Sequence, residues 1–335
     1  MNTTNRRRFL NCLLLGAAVA VAGCSGGEKK APTTAPVKTE PGASAVPAGK
    51  VWNIGFSQCN LGEPWRVQMN ADIKAAADKH ADKVKVIFQD AQNDTPTQQS
   101  QIRQFIQQGI NLIIMSPKED GPFVGVIGEA VKKGIPVIVL DRDQKGANYT
   151  CFIGGNNKQI GVEAGKYVVK LLGGKGSVIE LKGLMTSTPA QDRHNGFLEG
   201  IKGSNIKIIF DADCKWLEPN ARAEMTSAMS RFDKIDAVYG HNDPSAHGAW
   251  TAAKQEGKGR EKTIKFIGID GLPKEGRRYV KDGILAATFT YPTCGPEAIE
   301  TAIKILSGEK VEKRIILPTK AITGWTTYAG AGYVK

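Results

Sequence analysis

From residue 51 onward, short runs of β-branched and other apolar residues alternate with stretches whose apolar positions recur at helical spacing. VWNIGFS is followed by a helical pattern from Trp65 to His80, then KVKVIF, a helix through Ile102 and Phe105, and INLIIMS. A helix around Val124 to Lys133 leads into IPVIVL. Runs this uniformly apolar are covered on both faces, as in a parallel sheet with crossover helices. The rhythm restarts at KGSVIEL and continues through NIKIIF, DAVYG, TIKFIGID and GILAATFT. The pattern predicts an α/β protein of two successive doubly wound units rather than one long sheet.

The first fifty residues follow another pattern. Three arginines, an apolar run from Phe9 to Ala22 and small residues before Cys24 have the layout of an export signal, too short to span a membrane as a helix. Arg6 and Arg7 followed by Phe9 and Leu10 resemble the twin-arginine pattern, with Asn5 where that pattern has Ser or Thr; ordinary export signals also begin with arginines. Val21-Ala22-Gly23-Cys24 resembles a bacterial lipobox, which implies cleavage after residue 23 and a lipid on Cys24. Residues 24–50, rich in Pro, Ala, Thr, Gly and Lys, hold too little apolar surface to offset chain entropy and read as a tether. The expected location is the cell envelope or periplasm, lipid-anchored to a membrane.

Composition narrows the function. The net charge of +12 arises from 45 Lys and Arg against 33 Asp and Glu, but the excess is scattered as single lysines along helices, which argues against nucleic acid as a partner. The cysteines at 59, 151, 214 and 294 form no CxxC pair, and the four histidines, at 80, 194, 241 and 247, form no cluster, so neither a zinc site nor a dithiol site is indicated. There is no GxSxG elbow, HExxH or Walker loop, and Gly173-Gly174 lacks the GxGxxG spacing. The expectation is a protein without catalysis, metal or cofactor.

Ligands of open parallel sheets bind at the carboxyl edges of the strands. Those edges carry Gln58, Asn60, Glu63, Trp65 and Arg66, then Asp90, Ser116, Asp141 and Arg142. The second unit adds Asp192, Arg193, Trp216, Gly240 to Asp243, and Asp270-Gly271. A sugar offers hydroxyls that both donate and accept, plus an apolar ring face, and Asp, Asn, Arg and Trp supply both needs. Asp141 beside Arg142 could hold vicinal hydroxyls while the two neutralise each other, or form a local ion pair. Asn242 and Asp270 stand where helix caps are also favoured. His241 could touch ligand or brace residues that do.

GFSQ, EPWR, VLDRD, QDRHNGF, GHND and GIDG, in this order, make residues 51 to 319 resemble the type I periplasmic sugar-binding proteins of the ribose- and galactofuranose-binding kind. The resemblance implies two lobes joined by a three-stranded hinge, one from 50–155 plus 291–319 and the other from 156–290 plus 320–335. It implies a ring held between Trp65 and Trp216, and hydrogen bonds from Asp141, Arg142, Arg193, Asn242 and Asp270, with Glu63, Arg66, Asp90 and Thr290 adding contacts. Trp65-Arg66 in the first loop, where ribose binders present two phenylalanines, and Thr290, where they carry a glutamine, point to another furanose or a related polyol. A monomer that closes on a small sugar and delivers it to the permease of an ABC transporter is the implied function; a sugar receptor feeding a chemoreceptor or histidine kinase is the alternative.

Overall fold

A computed structural model describes residues 51–323. The signal, Cys24 and the tether expected in the first fifty residues lie outside the described residues. The first unit runs β1 (Trp52–Gln58), α1 (Pro64–Asp78), β2 (Val84–Asp90), α2 (Thr95–Gln107), β3 (Leu112–Ser116), α3 (Val124–Lys132), β4 (Val137–Leu140) and β5 (Cys151–Gly155). The second runs α4 (Asn157–Leu171), β6 (Lys175–Lys182), α5 (Thr188–Ile201), β7 (Asn205–Asp213), α6 (Glu218–Arg231), β8 (Ala237–Gly240), α7 (Asp243–Gln255), α8 (Arg260–Thr263), β9 (Lys265–Ile267), α9 (Gly276–Lys281) and β10 (Ala287–Phe289). The chain then makes α10 (Gly295–Leu306), β11 (Arg314–Leu317) and β12 (Ala321–Thr323).

The strands form two six-stranded sheets, ordered β11-β5-β4-β3-β1-β2 and β12-β10-β9-β8-β6-β7. All pairings are parallel except β10 with β12. In each sheet the strand order reverses beside the first strand of the unit, β1 or β6, which opens a crevice at the carboxyl ends. The chain passes between the sheets after β5, after β10 and after β11, and α10 returns to pack beside α1. We call the two halves lobe 1 and lobe 2. The strands β5, β11 and β12, which the apolar pattern did not single out, lie next to these crossings.

Six of the helices carry Pro in their first two positions: α1, α2, α5, α6, α7 and α10. Proline there costs no helical hydrogen bond and presets φ, so the chain turns sharply from a preceding loop into helix. The polar residues around these turns are thereby held in short, defined segments at the carboxyl edge.

Helices α4 and α5 meet backbone to backbone. A Cβ on Gly161 would collide with the Arg193 carbonyl, and one on Gly196 with the Lys158 carbonyl. On Gly165 it would stand 2.7 Å from the Phe197 oxygen, and on Gly200 it would strike the Val162 oxygen. Glycine is the residue that permits such an approach. Because the opposing atoms are backbone and cannot rotate away, Gly196→Ala is expected to destabilise by about 2 kcal/mol, despite alanine's better helix propensity. Urea unfolding monitored by far-UV circular dichroism measures this; an unchanged midpoint would show that the helices can part without cost.

Candidate functional site

A small cavity lies between the lobes at the carboxyl ends of the sheets. From lobe 1 it is lined by Glu63, Trp65, Arg66, Asp141 and Arg142. Across from them stand Pro189, Arg193, Trp216, Asn242 and Asp270, with Tyr291 at the second crossing. The lobes touch around it: the Asp143 amide donates to the Thr188 hydroxyl at 2.9 Å and the Asp120 amide to the Thr186 carbonyl at 2.9 Å. Three lining residues, Asp141, Trp216 and Asp270, have positive φ (64°, 69° and 126°), a strained backbone that side chains of this kind adopt only when the surroundings impose it.

Arg66 organises the lobe 1 wall. It is 1% exposed, and its guanidinium donates to Glu63 at 3.1 Å, Gln58 at 3.1 Å, Ser116 at 2.8 Å and Asp141 at 2.9 Å. One side chain thus joins the ends of β1, β3 and β4. Asp141 and Arg142 stand within ion-pair range of each other, but Arg66 is the closer partner of the carboxylate. Asp141 pairs with Arg66 and accepts the Tyr291 hydroxyl at 2.7 Å, while Arg142 Nε stands 3.7 Å away. Arg142 donates from Nη1 to the Lys118 carbonyl and to Cys59 Sγ, its Nη2 lies 3.7 Å from Glu63, and its Nε is buried without a hydrogen-bond partner.

In lobe 2, Arg193 donates from Nε to Asn157 Oδ1 at 2.9 Å and from Nη1 to the His241 carbonyl, and no carboxylate pairs with it among the described residues. Trp216 lies flat on Gly183, whose missing Cβ leaves room for the indole, and faces both Arg142 (5.6 Å) and Arg193 (5.3 Å). Its Nε1 is a second buried donor without a partner. Asn242 does both things open to it: it caps α7 by accepting from the Ser245 amide at 3.0 Å, and it lines the cavity. Asp270 is 8% exposed, with no protein hydrogen bond to its carboxylate among the described residues, and burial drives its pKa well above the usual carboxylate range. Behind it Asp243, raised to about 7 chiefly by burial, accepts from the Gly271 amide and the Thr288 hydroxyl and so fixes the Asp270-Gly271 turn.

Nine of the expected ligand residues therefore surround one cavity, and two do not. Asp90 ends β2 at the sheet edge and spends its carboxylate on the Gln92 amide at 2.9 Å. Thr290 turns away and accepts from the Lys320 amide at 2.8 Å, stitching two crossings together. The side chain that enters the cavity is the next one, Tyr291, because neighbouring residues of extended chain point to opposite sides. Tyr291 also accepts from Asn157 at 3.0 Å, takes the Trp65 indole N–H on its carbonyl at 3.0 Å and lies 4.5 Å from the Arg193 guanidinium. Its signal was legible: buried Phe289 fixes the alternation that puts residue 291, not 290, inside. His241 lies behind the wall, its ring 6.3 Å from Trp216. Cys59, Cys151, Cys214 and Cys294 are free buried thiols.

Two parallel-sheet lobes closed over a small polar cavity define a binding protein that captures its ligand between them. The chain belongs to the periplasmic binding protein domain family, which it matches over residues 54–310. It is 30% identical to the ribose import binding protein of Bacillus subtilis (strain 168) over 276 residues, 82% of this chain and 88% of that one. It is 33% identical to the galactofuranose-binding protein of Escherichia coli (strain K12) over 228 residues, covering 66% and 71% of the two chains. Among solved structures, the fructose-binding periplasmic domain of a hybrid two-component system is 40% identical, with a TM-score of 0.78 over 81% of this chain and 90% of that one. A Mycobacterium smegmatis protein in complex with β-D-fucofuranose is 31% identical, with a TM-score of 0.78 over 82% and 92%.

Proposed function

We propose that the protein captures a small neutral sugar, a furanose or related monosaccharide or polyol, by lobe closure, and delivers it unchanged to the permease of an ABC transporter. The observation that carries this reading is the set of unspent groups around the cavity. Arg142 Nε and Trp216 Nε1 are buried donors without acceptors, and Asp270 is an acceptor without a donor. A polyol satisfies both kinds at once, while Trp65 and Trp216 offer apolar faces. The lining sets three carboxyl groups, Glu63, Asp141 and the Asp270 group that burial pushes toward its neutral form, beside three guanidinium groups, Arg66, Arg142 and Arg193, so donors and acceptors alternate around the cavity. Several charge-assisted hydrogen bonds at ~1.5–3 kcal/mol each support roughly micromolar binding after ordering costs. Because ligand touches both lobes, it binds the closed form best and draws the population toward it. In this reading Cys24 carries a lipid that holds the mature protein, a monomer, at a membrane surface.

A thermal-shift panel of pentoses, hexoses, furanosides and polyols tests the reading. One sugar is expected to raise Tm by mass action and to be recovered unaltered after prolonged incubation. No shift with any polyol overturns the reading, and a recovered product would make the protein an enzyme. The sensor alternative is favoured by the 40% identity to a hybrid two-component domain. Uptake of the labelled sugar separates the two, since deletion of a transport component abolishes accumulation and deletion of a receptor does not.

A further inference from the structure

The carbonyl that holds Arg193 belongs to His241, and the ring of His241 is itself held. Its Nε2 meets Glu180 Oε1 at 2.9 Å, at the end of β6, where both side chains are wholly buried. Glu180 in turn meets His194 Nδ1 at 3.0 and 2.9 Å through its two oxygens. His194 is the neighbour of Arg193 on α5, and its side chain is 25% exposed. A chain of three groups thus runs from solvent to the back of the ligand cavity, and none of the three lines that cavity.

We propose that His241 and His194, joined through Glu180, are positioning residues that set Arg193 for the ligand and make affinity depend on pH; this rests on the sugar-binding reading of the cavity. With His194 protonated, the buried Glu180 carboxylate is matched by a cation on its outer side and by the His241 N–H on its inner side. Loss of the His194 proton leaves a buried negative charge that faces the interior through His241, the residue whose carbonyl holds Arg193. The guanidinium is then drawn back toward the β6 end and away from the ligand. The other charges facing His194 are Lys182 on β6, which opposes its protonation, and Asp211 on β7, which favours it. They pair with each other, so their effects largely cancel. Around His241 the facing groups are Glu180, Arg193 and His194, with the rings of Tyr239 at 5.1 Å and Trp216 at 6.3 Å. Hydrogen bonding to Glu180 raises the pKa of His194 despite its partial burial, while burial lowers that of His241, so of the two it is His194 that is held toward its protonated form.

The test is calorimetric titration of the full mature protein with D-ribose, D-fructose, L-arabinose and myo-inositol from pH 5.5 to 8.5. Affinity for the sugar that binds is expected to fall as pH rises through the His194 titration, and His194→Gln to flatten that profile. His241→Leu, which removes the donor to Glu180, is expected to weaken binding about tenfold, and His241→Gln, which restores an N–H, to recover most of the loss. A pH profile identical in wild type and His194→Gln overturns the proposal. So does equal loss in the Leu and Gln variants. In 15N-labelled protein without sugar, the Arg193 Nε–H resonance must shift as His194 titrates and stay still in His194→Gln. If none of the four sugars binds, the sugar reading falls for these ligands, and this resonance decides the positioning role by itself.

Discussion

Replacing Arg142 by alanine is expected to weaken sugar binding roughly 100- to 1,000-fold while leaving the fold intact. Truncating one partner of a buried, hydrogen-bonded charged contact costs about 2–5 kcal/mol in binding. Arg142 should fall in that range because its guanidinium is 1% exposed, its Nε has no protein acceptor, and it stands over Trp216 from the opposite lobe. Its loss removes a ligand donor and a contact that exists only when the lobes are closed. The fold should survive because Arg66, not Arg142, ties β1, β3 and β4 together. Calorimetry gives the affinity and near-UV circular dichroism the integrity of the lobes. A loss below about fivefold in a folded variant would mean that ligand does not engage this arginine.

The second large effect is on stability in acid. Burial alone would raise the Glu180 carboxyl, but hydrogen bonds from His194 and His241 outweigh it and hold the pKa at about 2, against an ordinary 4.5. A carboxyl held down in the folded state contributes stability that is complete above its unfolded value and disappears as pH falls toward the folded one. A gap of roughly 2.5 units corresponds to about 3 kcal/mol, lost between about pH 4.5 and pH 2. Urea unfolding of the wild type at pH 6 and pH 3 should therefore differ by about 2 kcal/mol more than in Glu180→Gln, which has no proton to take up; the remainder is lost only below pH 3. Parallel losses in the two proteins would place the source of acid sensitivity elsewhere.

The sheets were legible because parallel strands buried on both faces must be apolar throughout, and IPVIVL or INLIIMS has no competing reading. The short strands β11 and β12 escaped because a three- or four-residue segment such as RIIL carries too little periodicity to be distinguished from a loop. Most of the cavity followed from one rule, that the first polar residues after a strand face the crevice. That rule says nothing about partners. It placed Asp141 next to Arg142 in sequence, and the two do lie within 3.7 Å, but it could not show that the turn at Asp141, with φ of 64°, brings the carboxylate closer still to Arg66. It also included Asp90, since an edge strand has the same local pattern as a central one. The Thr290 error has a simpler origin: a one-residue displacement in extended chain exchanges inside for outside. The helix pair built on Gly161, Gly165, Gly196 and Gly200 was hidden because its information lies in what the side chains omit.

That glycine seam divides the jaws of this clamp into a fixed one and an adaptable one. Arg193 rides on α5, and α5 is pressed against α4, which begins at the first crossing, with no side-chain layer between them to be repacked. Substitution elsewhere in lobe 2 therefore has little means of shifting Arg193 by the fraction of an ångström that a new ligand would need. The opposite jaw presents Trp65 from the first turn of α1, an ordinary helix whose buried face is made of side chains that can be exchanged. Directed evolution toward a different sugar is accordingly expected to accumulate changes around residues 60–69 and to leave the α4–α5 seam untouched.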